Sequence, residues 1–277
     1  MSDKVIEFRG VKNVYAAEIL CDDNENGAGH GYVTDTPFKV AGASTLTIEV
    51  DNSSDTHFYD NYGAIVITAE GATTVTVEMS ALELANYAKI TGYQYNQYTG
   101  AVIEGKRDVK YFALLFEYED TDGDEYFGAM YKGMFAVPSS SYVTMNNSTD
   151  ANGQTVVFTA IRTNHKFTNA QNDGAKSMKV NGSENKVNTS GWFTGVVTPD
   201  NITQITAYEL SKTTGMNTVL TIKRNGVILN DGEAIYAGDQ LKITVANGTV
   251  TVNSNNFISG DIHVVSGDTA VVSTYSA

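Results

Sequence analysis

The chain has 277 residues, enough for one large or two modest domains, and carries 18 Lys and Arg against 32 Asp and Glu, a formal net charge of −14. Such an excess of carboxylate excludes adhesion to nucleic acid, which depends on Lys and Arg displacing the counterions of phosphate. A single cysteine, Cys21, excludes an intrachain disulfide, and without a signal-like N-terminus or a run of roughly 18 apolar residues, synthesis in a cytosol and no membrane span are expected.

Sixteen Tyr, 25 Gly and only three Pro fit short strands joined by tight turns, so a mainly β fold is expected. Residues 5–20 give one or two short strands, and CDDNENGAGHGYVTDTP at 21–37 is a polar, Gly-rich loop long enough to have a task. FKVAGASTLTIEVD alternates over Leu46, Ile48 and Val50 as a strand does, and DNSSDTHFYDN at 51–61 breaks that pattern with turn formers, which predicts a loop. GAIVITAEGATTVTVEMS reads as a hairpin, with Ile65 and Ile67 on one arm, Val75, Val77 and Met79 on the other, and the turn near Glu70-Gly71. One helix follows. Ser80 and Glu83 have capping-box spacing, Leu82, Leu84, Ala85 and Ala88 form its apolar side, and Gly92 stops it. At about ten residues it depends on packing against the sheet.

Residues 93–108 are tyrosine-rich and irregular. KYFALLFEYEDTDGDEYFGAMYKG at 110–133 then reads as strand, turn and strand: Phe112, Leu114 and Phe116 alternate before the turn, Tyr126 and Phe127 follow it, and Asp122-Gly123 is a favoured turn dipeptide. Further strands fit 140–145 and 154–164, the latter with Val156, Phe158 and Ala160 on one face. Residues 169–191 have few large apolar side chains and predict a mobile surface loop, after which Trp192 and Phe193 re-anchor the chain. Pro199 marks a domain boundary, giving domains 1–198 and 199–277. The second carries four basic and seven acidic residues, leaving 14 and 25 in the first.

The candidates for chemistry are few. Asp120, Asp122 and Asp124 alternate around one glycine, but counting from Asp120 puts Gly123 fourth and Tyr131 twelfth, where a calcium loop needs Gly sixth and Glu twelfth. An acidic hairpin tip ending in Glu125 explains more. His30, His57, His165 and His263 have no zinc-motif spacing, Cys21 has no nucleophile signature, and no serine elbow, phosphate loop or dinucleotide turn is present. No catalytic, cofactor-binding or metal-binding residue is therefore assigned, and no enzyme activity is expected. Tyr93, Tyr95 and Tyr98 fit a subunit contact better than a sugar-stacking platform.

In one order, GVKNVYAAEI, TPFKVAGASTLTIEVDNSSDTHFYDN, VTVEMSALELAN, KYFALLFEYE, VFTAIRTN and GWFTGVV resemble the major tail tube proteins of long-tailed, non-contractile (siphovirus-type) bacteriophages, across about residues 8–198. The resemblance implies a tail-tube β-sandwich or barrel with one flanking α-helix, and hexameric rings that stack into the conduit for genome delivery. It implies as partners other copies of the chain, the tape measure and the tail terminator. DNA would pass through the lumen without specific binding, and the protein, made in the host cytoplasm, would reside in the virion tail with no cofactor. The family has no catalytic residues to carry over. Residues 199–277, through Asn225-Gly226, Gly238-Asp239 with Leu241, and Val265-Ser266-Gly267-Asp268, resemble small all-β immunoglobulin-like and surface-repeat domains, which implies decoration of the tube's outside. On this reading loops 21–37 and 51–61 include the contact between rings. The competing reading is a two-domain β adhesin or carbohydrate-binding protein.

Overall fold

The computed structural model describes residues 6–25, 27–59, 62–140, 153–184 and 186–275. The chain forms two compact units, the first running up to residue 183 and resuming over 189–202, the second made of 184–188 and the residues from 203 onward.

In the first unit, β1 (Phe8–Asp22), β2 (Tyr32–Thr34), β3 (Phe38–Ala41), β4 (Ala43–Tyr59) and β5 (Tyr62–Met79) precede α1 (Leu84–Thr91). Among the described residues, the strands β6 (Gln94–Asn96) and β7 (Ala101–Ile103) pair only with each other. After them come β8 (Phe112–Asp120), β9 (Glu125–Phe135), β10 (Gln154–Ile161), the short pair β11 (Lys166–Phe167) and β12 (Asp173–Gly174), and β13 (Ser177–Asn181). The main sheet runs β2-β1-β8-β9-β10-β5-β4, with β3 added to β1 and β13 to β9. It curls into a half-barrel.

The centre of this sheet is buried on both faces. Phe112, Leu114 and Phe116 of β8 pack with Val14, Val75, Val77, Met130, Val156 and Phe158 in one cluster, to which β4 adds Leu46 and Ile48. The intervening Ala113 and Leu115 pack with Ala17, Phe127, Ala129, Tyr131 and Trp192 on the other side. Two-residue periodicity thus divides one strand between two apolar clusters. Phe116 has room because Gly128 lies opposite it: a Cβ there would stand 2.4 Å from the ring.

Several local expectations give way to pairing at longer range. Residues 8–22 are one long strand of 15 residues where one or two short ones were expected, with irregular register against β8 between Arg9 and Val11 and between Lys12 and Tyr15. The turn formers of 51–59 are strand, because Asn52 through His57 pair in register with Ile65 through Glu70. Asp60 and Asn61 lie outside the described residues. Glu70-Gly71 is accordingly no turn; it sits in the interior of β5, where the register against β4 shifts between Val50 and Asn52. Ser177–Asn181 is an edge strand on β9 rather than part of a mobile loop, with Met178 and Val180 half-buried against the second cluster. The strand expected at 140–145 falls, beyond Ser140, outside the described residues.

The helix begins later than predicted, with Glu83 at the N-cap and no side-chain cap bond. Ser80 is used elsewhere: its amide donates to Gly42 O (2.7 Å) and its Oγ accepts from Gly42 N (3.2 Å), joining the end of β5 to the start of β4. Leu84 and Ala85 are exposed, and the buried side is Ala88, Ile90 and Thr91. Gly92 does end the helix, in the left-handed region at φ +75°, donating to Ala88 O.

One buried ion pair joins β1 to β9. Lys132 Nζ lies 2.6 Å from Asp22 Oδ2, with both side chains 8% exposed, and Asp22 also accepts from the amides of Asn164 (3.0 Å) and His165 (2.8 Å). Burial opposes ionisation of Asp22, but the Asn164 amide, the Lys132 ammonium and the His165 amide together hold its carboxyl below the usual range.

The second unit is all β: β14 (Ala207–Thr213), β15 (Val219–Arg224), β16 (Val227–Ile228), β17 (Ala234–Tyr236), β18 (Gln240–Ala246), β19 (Gly248–Val252), β20 (Asn255–Phe257), β21 (Ile262–Val264) and β22 (Thr269–Tyr275). Two sheets, β17-β14-β22-β19-β20 and β16-β15-β18-β21, share a core that includes Leu210, Ile222, Ile235, Leu241, Ile243 and Val271. Asn225-Gly226 forms a tight turn with both residues at positive φ, +50° and +83°. Asp239 is buried, and its Oδ2 accepts from Arg224 Nη1 (2.8 Å) and the Tyr236 amide (3.0 Å).

Two predictions follow from this packing. Gly128→Ala drives a methyl into the Phe116 ring and should lower unfolding free energy by about 1–3 kcal/mol, read by urea denaturation. Lys132→Met leaves the Asp22 carboxylate buried without its cation and should cost about 3–5 kcal/mol. Because the Asp22 carboxyl titrates lower in the folded than in the unfolded chain, its contribution is complete above about pH 4 and is lost as pH falls through the folded value. Asp22→Asn should therefore flatten the acid side of a stability profile measured by urea denaturation across pH.

Candidate functional site

The acidic tip between β8 and β9 is a structural clasp. Asp120 is fully buried, its Oδ1 accepts from the amides of Asp122 (2.9 Å) and Asp124 (3.0 Å), and its Oδ2 accepts from the Tyr126 hydroxyl (3.2 Å). Gly123, at φ +87°, donates to Asp120 O at 3.1 Å. A side chain that holds its own turn in this way is the familiar behaviour of aspartate in loops. Asp122 and Glu125 face outward and Asp124 is half-buried. Lys12 answers the charge by reaching both Glu117 Oε1 (2.9 Å) and Glu125 Oε1 (3.1 Å), and the hydrogen bonds to Glu117 and Glu125 hold its ammonium well above the ordinary lysine range.

The tyrosines separate into two kinds. Tyr93 stacks on Tyr87 with ring centres 6.1 Å apart and lies beneath the Arg107 guanidinium at 5.8 Å. Tyr95 and Tyr98 are exposed on or beside the β6–β7 hairpin, Tyr98 at 90%. Of the histidines, His57 sits beside Asp55 on β4 at 3.6 Å, and His263 lies in the second unit, where burial lowers its pKa.

The outer halves of β4 and β5 are open to solvent. From Asn52 opposite Glu70 to Tyr59 opposite Tyr62, the two strands form a ribbon about 24 Å long. Residues 51–57 and 65–70 are exposed on both faces, including Ile65 at 50%, Val66 at 63% and Ile67 at 53%. Ile65 and Ile67 lie on one face, across from His57 and Asp55, and Val66 lies on the other, across from Thr56. At the root, Glu70 is gripped by Lys176 Nζ and lies 3.9 Å from Arg162 Nη2. The hydrogen bond from Lys176 holds the Glu70 carboxyl below its ordinary value.

The polar loop expected at 21–37 is shorter than its sequence suggests, since Tyr32–Thr34 pairs back onto the end of β1. The segment between them is closely built. Asp23 Oδ1 accepts from the amides of Gly31 (2.7 Å) and Glu25 (3.0 Å), and its Oδ2 faces Cys21 Sγ at 3.1 Å and His30 Nδ1 at 3.0 Å. The Gly31 amide, with His30 and Cys21, holds the Asp23 carboxyl far below the usual range, and the bond to Asp23 raises the Cys21 thiol. The loop is also stitched to the segment following β10: Asn24 Nδ2 donates to Asn164 O (3.0 Å), Asn24 Oδ1 accepts from Lys166 N (2.7 Å), and His165 Nδ1 lies 2.7 Å from Asp23 O. Sequence spacing gave no sign of this meeting of Cys21, Asp23 and His30. The available signal was the set of glycines at 27, 29 and 31, which bring His30 back toward the end of β1 at positive φ.

The described residues therefore contain an exposed ribbon, a clasped acidic turn and a stitched loop, all on a continuous antiparallel sheet. No helix among them is long and apolar enough to cross a membrane. A comparison with curated proteins finds no match. The model of the phage tail tube protein family, by contrast, matches residues 12–192, from within β1 to the buried Trp192 and across most of the first unit. The chain belongs to the phage tail tube protein family, and its role is that of a structural component of the virion tail.

Proposed function

We propose that the chain is the repeating subunit of the tail tube, with hexameric rings stacked into the conduit through which the genome is delivered. The observation that carries this reading is the β4–β5 ribbon. An isolated two-stranded ribbon is marginal in water, yet this one extends about 24 Å with Ile65 and Ile67 on one face and Val66 on the other, none of them covered by the described residues. Another copy of the chain is the partner that would cover the same ribbon in every subunit. Contacts that join unlike surfaces head to tail generate open filaments, as a tube requires.

Charge supports the conduit. Residues 1–198 carry 14 basic and 25 acidic side chains, so repeated subunits would offer passing DNA few sites for phosphate contact. Other tail proteins, the tape measure and the terminator, would meet the two ends of the tube, and the protein would be made in the host cytoplasm before assembly. The second unit is proposed as a decoration on the outside of the tube. Its two packed sheets, with β14 parallel to β22, support an immunoglobulin-like reading. A glycan-binding adhesin would rest on Tyr95 and Tyr98, and persistent monomers that bind glycans would favour it.

Replacing Ile65, Val66 and Ile67 together by Ser should leave the melting temperature of the monomer within a few degrees of the parent and abolish tubes in negative-stain electron microscopy. Normal tubes from that variant would overturn the role given to the ribbon. Deleting residues 206–277 should yield tubes of smaller outer diameter with an unchanged lumen, and failure to assemble would show that the second unit is part of the ring.

A further inference from the structure

The loop between β1 and β2 brings three different metal-ligating side chains to one point. Cys21 Sγ, a carboxylate oxygen of Asp23 and a ring nitrogen of His30 all lie within 4.8 Å of one another. The division of labour in Asp23 matters here. Its Oδ1 is committed to the Gly31 and Glu25 amides, which fixes the carboxylate in the loop, and its Oδ2 is aimed at the sulfur and the imidazole. Ligands oriented by such outer hydrogen bonds are the usual feature of built metal sites.

We propose that Cys21 Sγ, Asp23 Oδ2 and His30 Nδ1 form a tetrahedral zinc site, with Glu25 completing it. Glu25 Oε2 is 3.3 Å from His30 Nδ1, on an exposed side chain free to swing inward. Around a zinc ion bonded at about 2.3 Å to sulfur and 2.0–2.1 Å to nitrogen and oxygen, tetrahedral ligands stand about 3.4–3.6 Å apart. The present separations of 3.1 Å from sulfur to Oδ2 and 3.0 Å from Nδ1 to Oδ2 need only open by about half an ångström or less. One sulfur, one imidazole nitrogen and carboxylate oxygen select zinc over calcium and magnesium, which require oxygen throughout.

The platform beneath the ligands exists without the ion. The Asp23 amide donates to Gly31 O (3.1 Å) and the His30 amide to Gly27 O (3.2 Å), closing the loop on itself. Asn24 and the Asp23 carbonyl tie it to residues 164–166, and Asp22 is locked by Lys132 and the same segment. Zinc would add a cross-link between the end of β1 and the loop in a chain whose single cysteine cannot form an intrachain disulfide. The site is complete within one chain, so it stands or falls independently of ring formation.

The test is to titrate the full chain, cleared of metal by chelation, with zinc chloride by calorimetry, and separately with cobalt(II) followed by absorption. One equivalent of zinc should bind, and cobalt should give a tetrahedral spectrum with a thiolate charge-transfer band. Cys21→Ser should remove that band, and Cys21→Ser and His30→Ala should each weaken zinc by more than about tenfold. His57→Ala, on the ribbon, should leave binding unchanged, and Glu25→Gln, which keeps the size of the side chain, should weaken it without altering the apo melting temperature. Absence of a stoichiometric site, an octahedral cobalt spectrum, or binding that survives both Cys21→Ser and His30→Ala would each overturn the proposal and leave a hydrogen-bonded cluster.

Discussion

A strand buried on both faces has no polar side to turn toward water, and Phe112–Glu117 is such a strand. Its odd and even residues belong to different clusters, so the sheet on either side of it must supply apolar cover twice, once from β4, β5, β10 and the helix, once from Trp192 and the edge strand β13. Each large apolar side chain removed from water contributes about 1.5–3 kcal/mol, so this double enclosure holds the curl of the sheet in place. Gly128 is part of the same constraint, because two bulky residues cannot face each other where Phe116 crosses.

Such a core leaves polar groups to be satisfied at its rim, and the chain does so with a small number of multiply bonded carboxylates. Asp22 takes a lysine and two amides, Asp120 takes two amides and a tyrosine, and Glu117 takes Lys12 and Asn13 Nδ2 at 2.8 Å. Asp22 ends β1 and Asp120 ends β8, while Glu117 is the last residue of the doubly buried stretch within β8. The acidity of the composition is thus partly structural: these carboxylates are bound by the fold before any role in repelling phosphate is considered.

The features legible from sequence were those decided within a few residues. Asp122-Gly123 makes its turn, Gly92 ends its helix, and Asn225-Gly226 turns with both residues at positive φ, since backbone sterics alone dictate them. The ribbon was illegible because Asn52, Ser53, Ser54 and Asp55 favour turns locally, and only pairing with Ile67 through Glu70 makes them strand. The Cys21 cluster escaped for a similar reason. Its members are separated irregularly, and what joins them is a loop held by Asn164 and Lys166, more than 130 residues further along. Residues 177–181 lacked bulk, and Met178 and Val180 sufficed once β9 offered an edge.

The parallel pairing of β14 with β22 has a consequence for the second unit taken by itself. Leu210 lies beside Thr269 and Thr213 beside Val272, so both strands run the same way, and β22 continues to Tyr275. β14 and β22 therefore start at one pole of the unit and both run toward the opposite one. A peptide grafted after Tyr275 would emerge from the pole opposite the start of β14, an arrangement suited to displaying foreign sequence on a scaffold.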